Sequence, residues 1–245
     1  MYLSKEEEKM LEGEYGYPLE IAMKIVVSLG DIYGAESLIP IKKGHVSGVS
    51  YKTMGDAPLD FLKSLSKSGV KVRVPTTLNP IGFDLGRWKE MGIPSEFYKK
   101  QMEIVECYSR LGIDPTLTCT PYYLTDIKPG EDLAFAESSA VVYVNSVIKA
   151  KTNRLGGPAA LASSIVGKVP KYGYHIDDNR KGEVLIKVKA DLRDYSDFGV
   201  LGIFIGSVVR DKVPVISGIE NSNEDELKQL SAGLGASGMT ALFLK

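Results

Sequence analysis

Apolar positions recur along this chain in two rhythms, and each rhythm breaks off where glycine or proline intervenes. Ile21, Ile25, Val26 and Leu29 fall at helical spacing behind Pro18, which suits the first turn of a helix. Ser4 followed by Glu7 has the capping-box spacing and predicts a helix opening near Ser4. Leu59, Leu62 and Leu65 share the face of a helix opened by Asp56 and ended by Gly69. Residues 70–74 alternate as a strand. Ser95 caps a helix that reaches Leu111 and stops at Gly112. Further helices are expected over 140–149, 159–166 and 224–234, with a buried helix over 198–209. Strands are expected over 38–41, 116–120, 184–188, 213–216 and 240–244. Residues 44–50 and 75–80 read as loops.

Strands and helices alternate over most of the length, which predicts an α/β fold of layered sheets with flanking helices. A weak sub-boundary is expected near 170–178. The last strand, 240–244, stops one residue before Lys245, so the fold is expected to be incomplete at the carboxy terminus.

The charge adds exclusions. Thirty Lys and Arg against 31 Asp and Glu leave a net charge of -1, which argues against a broad nucleic-acid or anionic-membrane surface. The longest apolar run, 198–209, is interrupted by glycines and too short to span a bilayer. The acidic start, without an apolar leader, predicts a cytoplasmic protein. Two cysteines, Cys107 and Cys119, exclude a disulfide-dense scaffold and a four-cysteine metal site. Cys107 lies in a helical stretch and reads as an inert core thiol. His45 and His175 read as surface or hydrogen-bonded side chains.

The remaining polar singularities sit at segment ends, where ligands bind in α/β folds. Gly48-Val49-Ser50 offers backbone donors and a hydroxyl, and Asn79-Pro80 offers an amide on a turn. Glu137-Ser138-Ser139 offers hydroxyls, which equally suit an ordinary helix cap. Arg154 stands before Gly156-Gly157, where it can clamp a carboxylate or phosphate or form an exposed ion pair. The glycine pair is neither a Walker nor a dinucleotide fingerprint. Together these groups suggest a site for an anionic small molecule.

The same residues carry a resemblance. Gly44-His45-Val46-Ser47-Gly48-Val49-Ser50, Thr77-Leu78-Asn79-Pro80, Thr118-Cys119-Thr120-Pro121-Tyr122, Glu137-Ser138-Ser139-Ala140-Val141, Asn145-Ser146-Val147 and Thr152-Asn153-Arg154-Leu155-Gly156-Gly157-Pro158-Ala159-Ala160 form an ordered series. The series resembles the aconitase X family, in its archaeal branch, across residues 1–245. The resemblance implies an aconitase-like catalytic region and a hydro-lyase that dehydrates 5-phosphomevalonate to anhydromevalonate phosphate. It implies an iron–sulfur cluster, of the 4Fe-4S kind, held by three cysteines. Cys119 matches the first of these, and the other two belong to a carboxy-terminal segment that this sequence lacks. It also implies a small swivelling-domain subunit that supplies a serine base. Gly48, Val49, Ser50, Asn79, Pro80, Ser138 and Ser139 match the family's substrate-contact positions; Arg154 matches a motif, and its role is inferred from its charge. Two alternatives stay open: a hydroxyproline dehydratase component, and a non-catalytic fragment that binds a metabolite or a partner.

Overall fold

The computed structural model describes residues 1–245. The chain opens with α1 (Lys5–Leu11), α2 (Tyr17–Ile32), β1 (Leu38–Pro40), β2 (Lys43–Val46), α3 (Tyr51–Met54), α4 (Asp56–Lys67), β3 (Thr76–Leu78) and α5 (Ser95–Arg110). It continues through β4 (Leu133–Phe135), α6 (Ser138–Tyr143), α7 (Gly157–Val166), β5 (Lys168–Pro170), β6 (Val184–Lys187), α8 (Tyr195–Val209), β7 (Pro214–Ser217) and α9 (Glu224–Ser237). These elements form two compact units. One combines Met1–Cys119 with Leu155–Lys171, the other Thr120–Arg154 with Tyr172–Lys245.

In the first unit, α1 has the capping box that its sequence announces. Ser4 N–H donates to Glu7 Oε2 at 2.6 Å, and Glu7 N–H donates to Ser4 Oγ at 3.3 Å. Helix α2 buries Ala22, Met23 and Val26 and packs on α7. Strands β1 and β5 pair antiparallel, with Leu38 opposite Pro170. Strands β2 and β3 pair in parallel, with Gly44, His45 and Val46 opposite Thr76, Thr77 and Leu78.

Three expectations fail in this unit. Residues 44–50 are not all loop, because β2 occupies the first part. The strand after α4 is β3, inside the stretch 75–80 that read as loop, and not 70–74. That segment does alternate, but Val72 N–H donates to Leu111 O at 2.9 Å and Arg73 N–H to Ser164 O at 2.8 Å, so its donors join no ladder. Residues 116–120 form no strand either. Leu117 sits at φ 49°, in the left-handed region, and breaks the extended run.

In the second unit, β6 and β7 pair in parallel, and α9 packs against both α6 and α8. The core gathers Val142, Phe198, Leu230, Leu234 and Phe243. Helix α6 runs on into a π-helical turn, Val144–Ile148. The expected last strand is reduced to one bridge. Ile216 N–H donates to Leu244 O at 2.8 Å, and Leu244 N–H donates to Pro214 O at 2.9 Å. Helix α8 is only half buried. It turns Phe198, Gly202, Ile205, Gly206 and Val209 inward and leaves Val200, Ile203, Phe204 and Val208 exposed. No helix is long and apolar enough to cross a membrane.

Candidate functional site

The carboxyl ends of β2 and β3 bring two of the predicted motifs together in the first unit. After Val46 the chain turns through Gly48, at φ 75°, where a side chain would be strained. Val49 is buried and Ser50 half-buried. After Leu78 comes Asn79, whose N–H donates back to Val46 O at 2.9 Å, and then exposed Pro80. A third segment joins the same strand end, because Thr118 N–H donates to Leu78 O at 3.1 Å. Cys119 therefore lies one residue beyond that contact, and it is exposed. Gly157 faces the carbonyl of Ser47 so closely that a Cβ there would overlap its oxygen. Gly157 thus lets α7 approach the loop before Gly48.

Two buried polar side chains hold these loops, and the sequence reading assigned neither to the site. Gln101 on α5 is fully buried. Its Nε2 donates to Val49 O at 2.9 Å, and its Oε1 accepts from Tyr51 N–H at 2.8 Å. One carboxamide thereby brackets Ser50 from both sides. The available signal was the spacing of Gln101, Ile104, Val105 and Tyr108, which puts an uncharged polar residue on the inward stripe of an amphipathic helix. His45 is the second such group, bridging Thr77 and Asn79. Beside the loop, Lys100 and Tyr51 donate to Asp56, at 2.9 and 3.1 Å. These bonds hold the Asp56 carboxyl below its ordinary value, and the bond to Asp56 raises the Tyr51 phenol.

The second unit holds the other candidates. Glu137, not a serine, caps α6. Its Oε1 accepts from Ser138 Oγ at 3.4 Å, from Ser139 Oγ at 3.3 Å and from Ser139 N–H at 3.4 Å. One carboxylate therefore orders both hydroxyls. Arg154 is used differently from the expected clamp. Its guanidinium donates to Gly238 O at 3.0 Å and Gly235 O at 2.9 Å, near the end of α9. Those carbonyls lack helical partners, so the arginine completes the helix end. Asn145, from another resemblance motif, is buried with all its polar atoms bonded. Its Nδ2 donates to Thr152 O and Ala241 O, both at 2.9 Å, and its Oδ1 accepts from Thr152 N–H at 3.0 Å.

The residues present do not fit a complete iron–sulfur cluster. Cys107 is buried on α5, Cys119 is the only other thiol, and no three His, Cys, Asp or Glu side chains converge. Cys119 by itself offers one exposed thiol.

Residues 1–178 match the family model described as aconitase X first domain, and residues 182–244 match the aconitase X second domain. The chain belongs to the aconitase X family. It is 49% identical over 244 residues to the phosphomevalonate dehydratase large subunit of Thermococcus kodakarensis, covering 99% of this chain and 61% of that one. The crystal structure of Thermococcus kodakaraensis aconitase X in its holo-form superposes with a TM-score of 0.93 at 48% identity, covering 100% of this chain and 61% of that chain. The cis-3-hydroxy-L-proline dehydratase of Pseudomonas aeruginosa is further away, at 35% identity over 97% of this chain and 41% of its own length. The chain thus spans about 61% of the length of its phosphomevalonate dehydratase relative.

Proposed function

We propose that this chain is the large-subunit component of a hydro-lyase that removes water from 5-phosphomevalonate. The observation that carries this reading is the 49% identity, over 99% of the chain, to a phosphomevalonate dehydratase large subunit, against 35% to a hydroxyproline dehydratase. The loop chemistry agrees with it. Gly48, Val49 and Ser50 with Asn79 supply backbone amides, a hydroxyl and a carboxamide for the phosphate or carboxylate oxygens of an anionic substrate, and Pro80 adds a ring that stiffens the turn. Ser138 and Ser139 supply two hydroxyls ordered by Glu137. Arg154, occupied at the end of α9, serves to hold that backbone rather than to clamp the anion.

The reaction takes a proton from the carbon next to the carboxylate and hydroxide from the neighbouring carbon. The electron pair of the broken C–H bond becomes the second bond of the alkene, and the two fragments make one water. This chain's residues bind and orient the substrate. The base belongs to a small swivelling-domain subunit. Cys119 serves as one thiolate of an iron–sulfur cluster whose other ligands come from the length that the relatives have beyond this stretch. We place the reaction in the cytoplasm, since a phosphorylated acid does not cross membranes unaided.

The test joins this chain to the remaining length of its relatives and to the small subunit. That assembly is expected to convert 5-phosphomevalonate to an alkene with loss of one water, followed by mass spectrometry, while residues 1–245 alone do not. Turnover of cis-3-hydroxy-L-proline with none of 5-phosphomevalonate would sink the reading. Cys119→Ser should lose bound iron, because a hard hydroxyl replaces a soft thiolate, while Cys107→Ser should keep it. Iron retained in Cys119→Ser would remove the ligand assignment and leave the substrate reading standing.

A further inference from the structure

We propose that the backbone at Phe243–Lys245 takes a further parallel strand, drawn from the length that the relatives have outside the matched stretch. That length is joined to this chain or supplied on a second one, and the proposal does not depend on which acid is dehydrated. In the second unit the order is β6, β7 and then Leu244, each parallel to the one before. Strand β7 holds Leu244 with two groups. Pro214 O accepts from Leu244 N–H, and Ile216 N–H donates to Leu244 O. Leu244 thus turns its backbone groups toward β7. In extended chain the residues on either side turn theirs the opposite way. Phe243 O and Lys245 N–H therefore repeat, one strand further out, the acceptor and donor that Pro214 and Ile216 present to Leu244. Neither makes a hydrogen bond.

A cleft of about 1030 Å³ opens beside these residues. Ser146, Val147 and Lys149 line it from the π-helical turn, Leu227 from α9, and Phe243 and Lys245 from the strand itself. The turn sets the register. Ser146 Oγ accepts from Phe243 N–H at 2.9 Å, and Asn145 Nδ2 donates to Ala241 O at 2.9 Å. The outward side is therefore closed at Phe243 N–H and open from Phe243 O onward, so pairing starts at that carbonyl. This gives the Asn145-Ser146-Val147 motif a use, since it fixes the strand on which the next one builds. A sheet of two strands and one bridge is also short of the usual four to six or so. A parallel neighbour needs a crossover of about a dozen residues or more, so the occupant brings its own connecting segment. The chain covers 61% of its phosphomevalonate dehydratase relative, which leaves that relative ample length for both.

Proline at position 245 tests whether the edge is taken. It removes the N–H and is tolerated only where that group meets no neighbouring strand. In residues 1–245 alone, Lys245→Pro should leave the thermal midpoint unchanged. In this chain assembled with the remaining length of its relatives, the same change should lower the midpoint by several degrees. Amide hydrogen exchange reads the parent protein directly, even if the proline variant fails to assemble. Lys245 N–H should exchange about a hundredfold more slowly in the assembly than in residues 1–245 alone. A fast Lys245 amide in the assembly, or a Lys245→Pro tolerated there, would overturn the proposal. Slow exchange in residues 1–245 alone, with a doubled mass in sedimentation, would overturn it in favour of a second copy. Protection that appears only on adding the small subunit, or only on adding 5-phosphomevalonate, would overturn it in favour of that partner or ligand. An assembly with a protected Lys245 amide and no turnover of 5-phosphomevalonate would refute the reaction assigned above and leave the added strand standing.

Discussion

The loops after β2 and β3 in the first unit and the α8–α9 pair in the second are both held tightly, but by opposite means. The loops are held by side chains that are present. Gln101 spends its whole carboxamide on Val49 and Tyr51, and His45 spends both ring nitrogens on Thr77 and Asn79. The helix pair is held by side chains that are absent. A Cβ on Gly202 would overlap Leu230 O, one on Gly233 would overlap Gly199 O, and one on Gly238 would overlap Gly206 O. A polar clamp fixes a direction, and a substitute of similar polarity can partly replace it. A glycine contact fixes a distance between two backbones, and no side chain substitutes for it.

That contrast is open to attack at two strengths. Gly233→Val should cost the most, about 3 kcal/mol or more, because backbone on the facing helix must move and closely packed interiors yield poorly. Denaturant unfolding of the assembled protein would read it. A loss below about 1 kcal/mol would mean that α8 and α9 can separate freely, and the comparison would fall. Gln101→Leu should cost about 2 kcal/mol, since it adds apolar contact yet leaves Val49 O and Tyr51 N–H without partners. It should also weaken substrate binding through Ser50, which Gly233→Val should do only by unfolding. Equal effects on binding at equal stability would erase the distinction between the two means.

The smallest effect concerns Glu7. Burial raises its pKa, but the bonds from Lys168 and Ser4 outweigh that and leave the carboxyl below its ordinary value. A carboxyl depressed in the fold stabilises it above the unfolded value near 4.5 and loses that contribution as pH falls through the folded value. Glu7→Gln should therefore lower stability at neutral pH by less than about 1 kcal/mol. The difference from the parent should shrink in acid. A gap that stays constant from pH 7 to well below 4.5 would remove Lys168 as its cause.

The two means of fixing backbone differ also in how they read from sequence. Helices with apolar stripes announced themselves: Ser4 with Glu7 gave α1, and the leucines after Asp56 gave α4. Strands β2 and β3 did not, because beside Val46 and Leu78 they bury His45, Thr76 and Thr77. Pattern reading sends such residues to loops, and only the partner strand reveals that they satisfy one another. The alternating valines of 70–74 misled for the converse reason: a half-buried segment whose donors go to separate carbonyls looks like a strand without being one. At the site, the motif series named loops that the structure gathers at the ends of β2 and β3, and charge alone did not foresee the partners of Arg154. A guanidinium beside two glycines reads as an anion clamp until the uncapped carbonyls of α9 appear next to it. The apolar run of 198–209 predicted burial on all sides, while the fold covers one face.

The pairing of β1 with β5 joins Leu38 to Pro170, across roughly 130 residues of chain. On a ribosome adding about 5–20 residues per second, β1 emerges on the order of ten seconds before its partner. During that interval every residue of the other unit up to Arg154 is made, inserted between the two parts of the first. The first unit therefore cannot finish folding as it leaves the exit tunnel. The nascent chain carries an open strand past the synthesis of the whole stretch Thr120–Arg154.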